Sequence, residues 1–222
     1  MKIEIKDITK KYVKEQVLRG ISFEAESGSC IGILGGNGCG KSTLLSILAG
    51  VQKPDGGTFT ADGIDLFADA ATRSEAVGYV PQGTPLMEEL SAKDNLRLWY
   101  DKKTLEKELE DGVLAMLGIP EFIKTPVKRM SGGMKKRLSI GCAVANRPPV
   151  LLLDEPGAAL DLLCKEKIAD YLRKYKQGGG ILILTTHEVA ELDLCDRMYI
   201  IKGGVLTPFE YDGDVGRLVE NL

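Results

Sequence analysis

The chain has 222 residues, of which 44% are hydrophobic, 27% charged and 6% aromatic, and its formal net charge is -3. This length suits one globular domain with a full core, so we expect a single domain over residues 1–222. The ordinary apolar and charged fractions exclude a disordered or fibrous chain. The charge balance argues against a nucleic-acid partner held by bulk positive potential.

The first segments predict two half-buried strands, Ile3–Ile8 and Ile21–Ala25, because apolar and polar residues alternate in both. The opening residues lack the apolar stretch of a secretory signal, and no apolar run approaches the roughly 20 residues that cross a bilayer. We therefore expect a cytosolic chain without direct membrane insertion. Five scattered cysteines and a single histidine favour reduced thiols over a zinc site.

A phosphate-binding loop is predicted between a buried strand and a helix. The apolar run Cys30–Leu34 indicates the strand, and the spacing over Lys41–Ala49 indicates a helix that Gly50 ends. The residues between them fit the pattern G-x-x-x-x-G-K-[ST] in the context that this pattern requires. The matching residues are Gly35, Gly36, Asn37, Gly38, Cys39, Gly40, Lys41, Ser42 and Thr43.

The chemistry of this loop suits a nucleotide. Glycines let backbone N–H groups turn toward phosphate oxygens, and the positive end of the helix dipole attracts the anion. Lys41 is expected to reach the β- and γ-phosphates and Ser42 to bind Mg²⁺. The alternative is a glycine-rich turn that matches by accident.

The middle of the chain is mostly helical. Strands are predicted at Thr58–Ala61 and Ala76–Val80, and helices follow at Ala92–Tyr100, at Leu105–Leu117 and from Gly132 to about Ala145. Because this block interrupts an alternation of strands and helices, we interpret residues 87–145, approximately, as an inserted helical subdomain.

The alternation resumes after the helical block. Val150–Leu153 and Ile181–Thr185 are wholly apolar strands, with a helix between them over Leu162–Tyr175. Strands that are buried on both faces and alternate with helices indicate a parallel α/β sheet.

Polar groups follow both late strands, at the edge where parallel sheets bind ligands. Asp154 is expected to hold Mg²⁺, and Glu155 to orient or deprotonate the attacking water. His187 is placed to donate a hydrogen bond to the γ-phosphate. The alternatives are solvated acids at a strand end and a structural histidine.

The segment MSGGM, residues 130–134, completes an ordered set of motifs. With the phosphate loop and the carboxylate pair, it makes the chain resemble the ATP-binding subunit of ABC transporters along essentially its whole length. The resemblance implies a P-loop NTPase fold with a mainly parallel central sheet, an N-terminal antiparallel β region and an inserted helical subdomain.

The resemblance also implies roles for further residues. Tyr12 matches the aromatic residue that stacks on adenine, and Gln82 the glutamine that touches Mg²⁺ and water and links the site to a membrane partner. The signature that caps the γ-phosphate of the opposite subunit matches Ser131, Gly132 and Gly133. Asp161 matches a loop that contacts that subunit. The alternatives are a half-buried tyrosine at a strand end for Tyr12 and a helix N-cap for Asp161.

The implied function is hydrolysis of ATP, with Mg²⁺, by two such subunits in a homo- or heterodimer that powers a membrane-spanning permease. The chain would then lie in the cytoplasm, at the inner face of the cell membrane, with export favoured over import. The alternative is a soluble ABC-type ATPase that serves another process, such as iron–sulfur cluster assembly. Lys135, Lys136 and Arg137 are interpreted as a solvated helix face, because no aromatic residues interleave with them as in a nucleic-acid site.

Overall fold

The computed structural model of the protein describes residues 1–13, 15–186, 188–214, 216, 218 and 220. The described residues form ten strands and eight α-helices. The strands are β1 Lys2–Tyr12, β2 Glu15–Glu26, β3 Cys30–Leu34, β4 Gly56–Ala61, β5 Ile64–Asp65, β6 Val77–Val80, β7 Val150–Asp154, β8 Ile181–Thr185, β9 Arg197–Lys202 and β10 Val205–Phe209. The helices are α1 Lys41–Leu48, α2 Ala70–Ala76, α3 Ala92–Leu96, α4 Lys102–Glu110, α5 Val113–Met116, α6 Gly132–Ala143, α7 Leu162–Gln177 and α8 Val189–Leu192.

The strands form two sheets. One is antiparallel, with the order β2-β1-β4-β5, and the other has the order β10-β9-β3-β8-β7-β6. In the second sheet the neighbours from β9 to β6 run parallel, and only β10 is antiparallel, at one edge. The predicted α/β class, with a mainly parallel central sheet and an N-terminal antiparallel region, is confirmed.

The parallel sheet is buried on both faces, and successive residues of β7 enter different cores. Val150 and Leu152 belong to a core that α1 and the antiparallel sheet share. Leu151 and Leu153 belong to a core built with helices of the block between β6 and β7. The sheet therefore separates the phosphate-loop helix from that helical block.

The parallel register brings the carboxyl ends of three strands to one edge. Thr185 at the end of β8 is the register partner of both Ile33 in β3 and Asp154 in β7. The segment after β3 and the residues that end β7 and β8 are consequently neighbours, although they are far apart in the chain. This edge carries the predicted site.

The helical block between β6 and β7 contains a break that its prediction lacks. A single helix over Leu105–Leu117 is wrong, because the chain forms α4 and α5 with a break at Gly112. The carboxylate of Glu108 accepts a hydrogen bond from the backbone N–H of Val113 at 2.8 Å and so takes the place of a helical carbonyl. Two short 3₁₀ turns, Ile119–Phe122 and Val127–Arg129, continue the block.

Other helices and strands also begin or end at residues different from those predicted. The first helix of the block ends at Leu96 rather than at Tyr100, and the two N-terminal strands are longer than predicted. Sequence reasoning did not predict α2, α8, β5, β9 or β10; α2, for example, buries none of its residues and shows no apolar face. Within the described residues, no helix is both long and apolar enough to span a bilayer.

The break at Gly112 generates a stability prediction. A Cβ at this position would lie 2.2 Å from Glu108 Oε2 and 2.6 Å from Glu108 Cα. Gly112→Ala is therefore expected to lower the free energy of unfolding by about 1–3 kcal/mol through overpacking, which lowers Tm by several degrees. The matched control is Gly83→Ala, since no atom lies within 4 Å of a Cβ there. Equal melting temperatures for the two variants would contradict this account of the break.

Candidate functional site

The predicted phosphate loop has the backbone of an anion-binding turn. Gly38 and Gly40 adopt the left-handed φ values +78° and +112°, which favour glycine. A Cβ at Gly40 would lie 2.8 Å from Leu18 Cδ2, so the close approach to β2 also requires a glycine. Gly40 is the N-cap of α1, and without a side chain it leaves the first turn of that helix open to an external anion.

Lys41 is buried within this loop. Its Nζ donates hydrogen bonds to the carbonyls of Gly35 at 2.6 Å and Gly36 at 3.2 Å. These bonds compensate the buried ammonium group and hold it beside the first turn of α1. A positive charge and helix N–H groups therefore converge on one place.

A cavity of about 340 Å³ opens in front of the loop. It brings together residues of the loop, Gln82 from the segment that follows β6, and Glu155 from the segment that follows β7. Its described lining is Asn37, Gly38, Gly40, Lys41, Ser42, Thr43, Gln82 and Glu155. Cys39 lies instead beside a smaller cavity of about 130 Å³, which Arg19 and Gly203 also line.

Hydrogen bonds across two strand ends position the carboxylate pair. The buried carboxylate of Asp154 accepts a hydrogen bond from Thr185 Oγ1 at 2.6 Å. The N–H of Glu155 donates to the Thr185 carbonyl at 3.1 Å and to its Oγ1 at 3.0 Å. Glu155 has a φ of +49°, uncommon for a residue with a side chain and typical of a strained functional position. Gln82 Nε2 donates to Glu155 Oε2 at 2.9 Å, and this bond links two of the four predicted catalytic residues.

The predicted ligands fit Mg²⁺ in their chemistry, although only Ser42 and Gln82 line the cavity and Asp154 is buried behind its described lining. A serine hydroxyl, a buried carboxylate and an amide oxygen, from Ser42, Asp154 and Gln82, are the hard oxygen ligands that this ion prefers. In the described part of the chain, no three His, Cys, Asp or Glu residues cluster as a metal site. A site with few protein donors suits an ion that keeps waters and binds substrate phosphates.

The predicted signature lies at the N-terminus of α6, away from the described lining of this cavity. Ser131 is the N-cap, and its Oγ accepts a hydrogen bond from the Met134 N–H at 3.2 Å. Gly133 is buried against α7, since a Cβ would lie 2.4 Å from Cys164 Sγ. Gly132 is exposed, and the nearest atom to an added Cβ is Leu160 Cδ2 at 3.9 Å. The signature is therefore a helix N-terminus that faces outward.

Asp161 is the N-cap of α7, which was the structural alternative for this residue. Its carboxylate accepts a hydrogen bond from the Cys164 N–H at 2.9 Å, and this bond holds the pKa of Asp161 below its usual value. The side chain is exposed, so a contact with a second subunit stays a prediction beside the capping role.

Tyr12 does not line the cavity, and its predicted adenine contact stays a prediction. Its hydroxyl donates to Gln52 Oε1, and Gln52 Nε2 donates to Ser46 Oγ at 3.1 Å. The ammonium of Lys10 lies 5.6 Å from the centre of the Tyr12 ring. These contacts hold the ring beside the last turn of α1, with 41% of the residue exposed. His187 lies outside the described residues.

The interpretation of Lys135, Lys136 and Arg137 as a solvated helix face is wrong. Lys136 and Arg137 are 5% and 6% exposed. Lys136 Nζ donates to the carbonyls of Pro81 at 3.0 Å and Gln82 at 3.2 Å. Arg137 donates to the Leu117 carbonyl at 2.9 Å. Backbone carbonyls thus accept hydrogen bonds from two cationic side chains that the sequence predicted to lie on the surface.

Sequence reasoning also missed two polar residues near the carboxylates. Thr185 was predicted only as the end of a strand, although a hydroxyl next to a carboxylate-bearing strand is a usable signal. Glu191 is 9% exposed, and a Cβ on Gly157 would lie 2.3 Å from its Oε1. Burial raises the pKa of Glu191 to about 7, although hydrogen bonds from the Thr186 side chain and the Gly157 N–H act to lower it. No sequence pattern indicated this contact.

Comparison with known proteins decides the family. The model of the ABC transporter family matches residues 18–158. The chain belongs to this family. The resemblance inferred from the motifs is therefore confirmed.

Curated relatives of the family include ATP-binding proteins of bacterial export and resistance systems. The linearmycin resistance ATP-binding protein LnrL of Bacillus subtilis (strain 168) is 34% identical over 207 residues, which cover 91% of this chain and 67% of that protein. The Nod factor export ATP-binding protein I of Sinorhizobium fredii is 37% identical, over 91% of this chain and 60% of that protein. The chain thus spans about two thirds of the length of these relatives.

Solved structures of ABC cassettes share the fold. An ATP-binding subunit of an ABC transporter has a TM-score of 0.84 and 26% identity, and the match covers 100% of this chain and 95% of that one. A dimeric, post-hydrolysis ATP-binding cassette bound to ADP and Pi has a TM-score of 0.85 and 27% identity, covering 96% and 100%. The fold of this chain is that of an ABC ATPase cassette.

The adenine contact that the resemblance implies for Tyr12 generates a binding prediction. Base–aromatic stacking is worth about 1–3 kcal/mol, so Tyr12→Ala is expected to raise the Kd for ATP about 5- to 150-fold. Tyr12→Phe keeps the ring and loses only the bond to Gln52, and it should bind ATP nearly as the wild type does. Isothermal titration calorimetry with ATP and Mg²⁺ measures both. Wild-type affinity in Tyr12→Ala would remove Tyr12 from the adenine site.

Proposed function

We propose that this chain is an ATP-hydrolysing subunit that dimerises around ATP and drives a membrane-spanning partner. The carrying observation is the cavity in which the phosphate loop faces the hydrogen-bonded pair Gln82 and Glu155. Phosphate-binding groups and a candidate water-activating carboxylate share this cavity. The family supports the same proposal.

In the proposed binding mode, the loop holds the phosphates of ATP. Backbone N–H groups at Gly38 and Gly40 and the first turn of α1 face the phosphate oxygens, and Lys41 adds a fixed positive charge. Because these groups are held by the fold before the nucleotide arrives, little reorganisation accompanies binding or charge transfer.

In the proposed reaction, Glu155 orients a water molecule for in-line attack on the γ-phosphorus and accepts its proton, while the bond from the γ-phosphorus to the oxygen of the β-phosphate breaks and ADP leaves. The hydrogen bond from Gln82 at 2.9 Å holds the carboxylate toward the cavity. Ser42, Asp154 and Gln82 would hold Mg²⁺, whose charge offsets that of the phosphates. The buried bond from Thr185 keeps Asp154 oriented for this role.

The exposed signature supports a dimer in which each subunit completes the site of the other. In this chain nothing nearer than 3.9 Å would meet a side chain at Gly132, so packing within the subunit does not require a glycine there. A glycine at an exposed helix N-terminus suits close approach by an external anion. In the proposed dimer, this anion is the γ-phosphate that the opposite subunit binds. A dimeric cassette with ADP and Pi among the similar structures supports this arrangement.

A second cavity, of about 650 Å³, supports a membrane-spanning partner. Its lining includes Pro81 and Leu86 together with Leu98 and Trp99, which are both 57% exposed. Contiguous exposed apolar side chains beside a groove are typical of a site that takes a partner helix. Because Pro81 is adjacent to Gln82, a partner in this groove would lie next to the nucleotide cavity.

Export is the favoured direction, because relatives carry the names Nod factor export and linearmycin resistance. The competing function is a soluble ABC-type ATPase for iron–sulfur cluster assembly. The apolar groove favours the transport function, since a chain without a helix partner would expose it to water. With a permease, the chain would lie at the cytoplasmic face of the membrane.

The role of Glu155 generates a catalytic prediction. Glu155→Gln keeps the hydrogen-bonding shape and loses the base, so ATP turnover is expected to fall about 10²–10⁴-fold. ATP binding should persist, and the ATP-bound dimer should be longer-lived because hydrolysis no longer opens it. Phosphate release and light scattering with Mg²⁺-ATP measure these two effects.

The control for this prediction is Glu89→Gln, an exposed carboxylate that pairs only with Lys128 among the described contacts. Its turnover should equal that of the wild type. A wild-type rate in Glu155→Gln would exclude Glu155 as the base.

The apolar groove generates a prediction about the partner. Leu98→Asp places a charge in the groove and is expected to move the chain from the membrane fraction of its host to the soluble fraction, with ATP binding by the purified chain unchanged. Ile64→Asp is the matched control, since Ile64 is 59% exposed on β5. Cross-linking, followed by identification of the cross-linked chain, then distinguishes a membrane-spanning partner from soluble assembly proteins. Retention of Leu98→Asp at the membrane, or capture of soluble assembly proteins, would contradict the proposed docking.

A further inference from the structure

Lys136 is a buried cation that the proposed reaction does not use. It is the fifth residue of α6, one helical turn after Gly132, and only 5% of it is exposed. Its ammonium group contacts the chain that leaves β6. Burying an ammonium group carries a large desolvation cost, so the contacts that compensate it indicate what the charge does.

Those contacts lie on the segment that carries Gln82. Lys136 Nζ donates to the carbonyls of Pro81 at 3.0 Å and Gln82 at 3.2 Å. Burial lowers the pKa of Lys136 below its usual value, and the negative charges of Asp154, Glu155 and Glu191 oppose that shift. The lysine is therefore held by two adjacent carbonyls of the segment that carries Gln82.

The segment after β6 has little regular structure of its own. Residues 81–86 form no helix or strand, and Gln82 is exposed. Two adjacent carbonyls that share one ammonium donor fix the direction in which the backbone leaves the sheet. From that backbone, the side chain of Gln82 reaches Glu155 Oε2 at 2.9 Å.

We propose that Lys136 is a positioning residue, which holds the Gln82 segment where the Gln82 side chain meets Glu155. A continuous set of contacts then connects the signature helix, through Lys136 and Gln82, to the candidate base of the same subunit. This inference rests on the proposed function, because it assigns Lys136 an effect on the proposed hydrolysis.

The neighbouring lysine provides a matched control. Lys135 is half-buried, and its nearest described acidic partner is Glu88 at 3.7 Å, on the protein surface. Lys135→Met and Lys136→Met remove the same charge from adjacent residues of α6 and replace it with a side chain of similar length. Only the second removes the two bonds to the Gln82 segment.

The experiment compares these variants in the full-length chain, with inorganic phosphate release, ATP titration and hydrogen exchange as readouts. Misplacement of a catalytic group by about 1 Å costs up to about 10²-fold, so Lys136→Met is expected to lower kcat about 10- to 100-fold. Its Kd for ATP should stay within about twofold of wild type, because the phosphate loop is untouched. Peptides covering residues 81–87 should exchange faster with the solvent, whereas Lys135→Met should behave as the wild type in all three readouts.

A double-mutant cycle separates positioning from general stability. If Lys136 acts through Gln82, then the variant with both Lys136→Met and Gln82→Ala has the kcat of Gln82→Ala alone. A purely structural lysine would give losses that multiply. Lys136→Gln, which keeps one donor group, extends the same cycle if Lys136→Met unfolds.

The outcomes also distinguish this inference from the proposed function. Wild-type kcat and wild-type exchange of residues 81–87 in Lys136→Met, with hydrolysis lost in Glu155→Gln, would overturn the positioning role and leave the proposed function intact. Multiplying losses in the cycle would do the same. Absence of ATP hydrolysis by the wild-type dimer would overturn both.

Discussion

The hydrogen bond between Thr185 and Asp154 joins the ends of two buried parallel strands, and the candidate site depends on this junction. Thr185 is fully buried and Asp154 nearly so, and the same threonine also accepts the N–H of Glu155. One hydroxyl thus orients a candidate metal ligand and the backbone of the candidate base. Because the parallel register sets this pairing, the core that fixes the strands also fixes the geometry of the carboxylates.

The N-termini of α1 and α6 differ in structure, although we propose that both bind phosphate groups of ATP. The first turn of α1 is open because Gly40 has no capping side chain, and it faces a cavity that the same chain lines. Ser131 caps α6, which carries the exposed Gly132 outward. The physical basis is the same in both, namely backbone N–H groups and a helix dipole that attract an anion. In the dimer that we propose, the subunit presents one anion site to its own cavity and a second one to its neighbour.

The helical block connects these regions through buried charge rather than through apolar packing alone. Arg137 donates to a carbonyl within the block, and Lys136 donates to carbonyls at its entrance from β6. Such contacts are directional, and a slip of the helix by one residue would leave a cation buried without acceptors, at a high cost. The block is consequently held in register with the parallel sheet at the point where Gln82 meets Glu155.

The sequence by itself determined the fold class, the strands β3 and β8, the phosphate-loop pattern, the carboxylate pair and the family. These features depend on local spacing, since apolar runs, glycine positions and motif order are visible along the chain. Only the tertiary structure decided that Gln82 bonds Glu155, that Thr185 orients Asp154, that Lys136 is buried and that Gly112 divides a helix. Each of those facts is a contact with a side chain or carbonyl several to many residues away. Whether a polar group is buried, and which group it bonds, is decided by the assembled core. The spacing of residues along one helix does not carry this information.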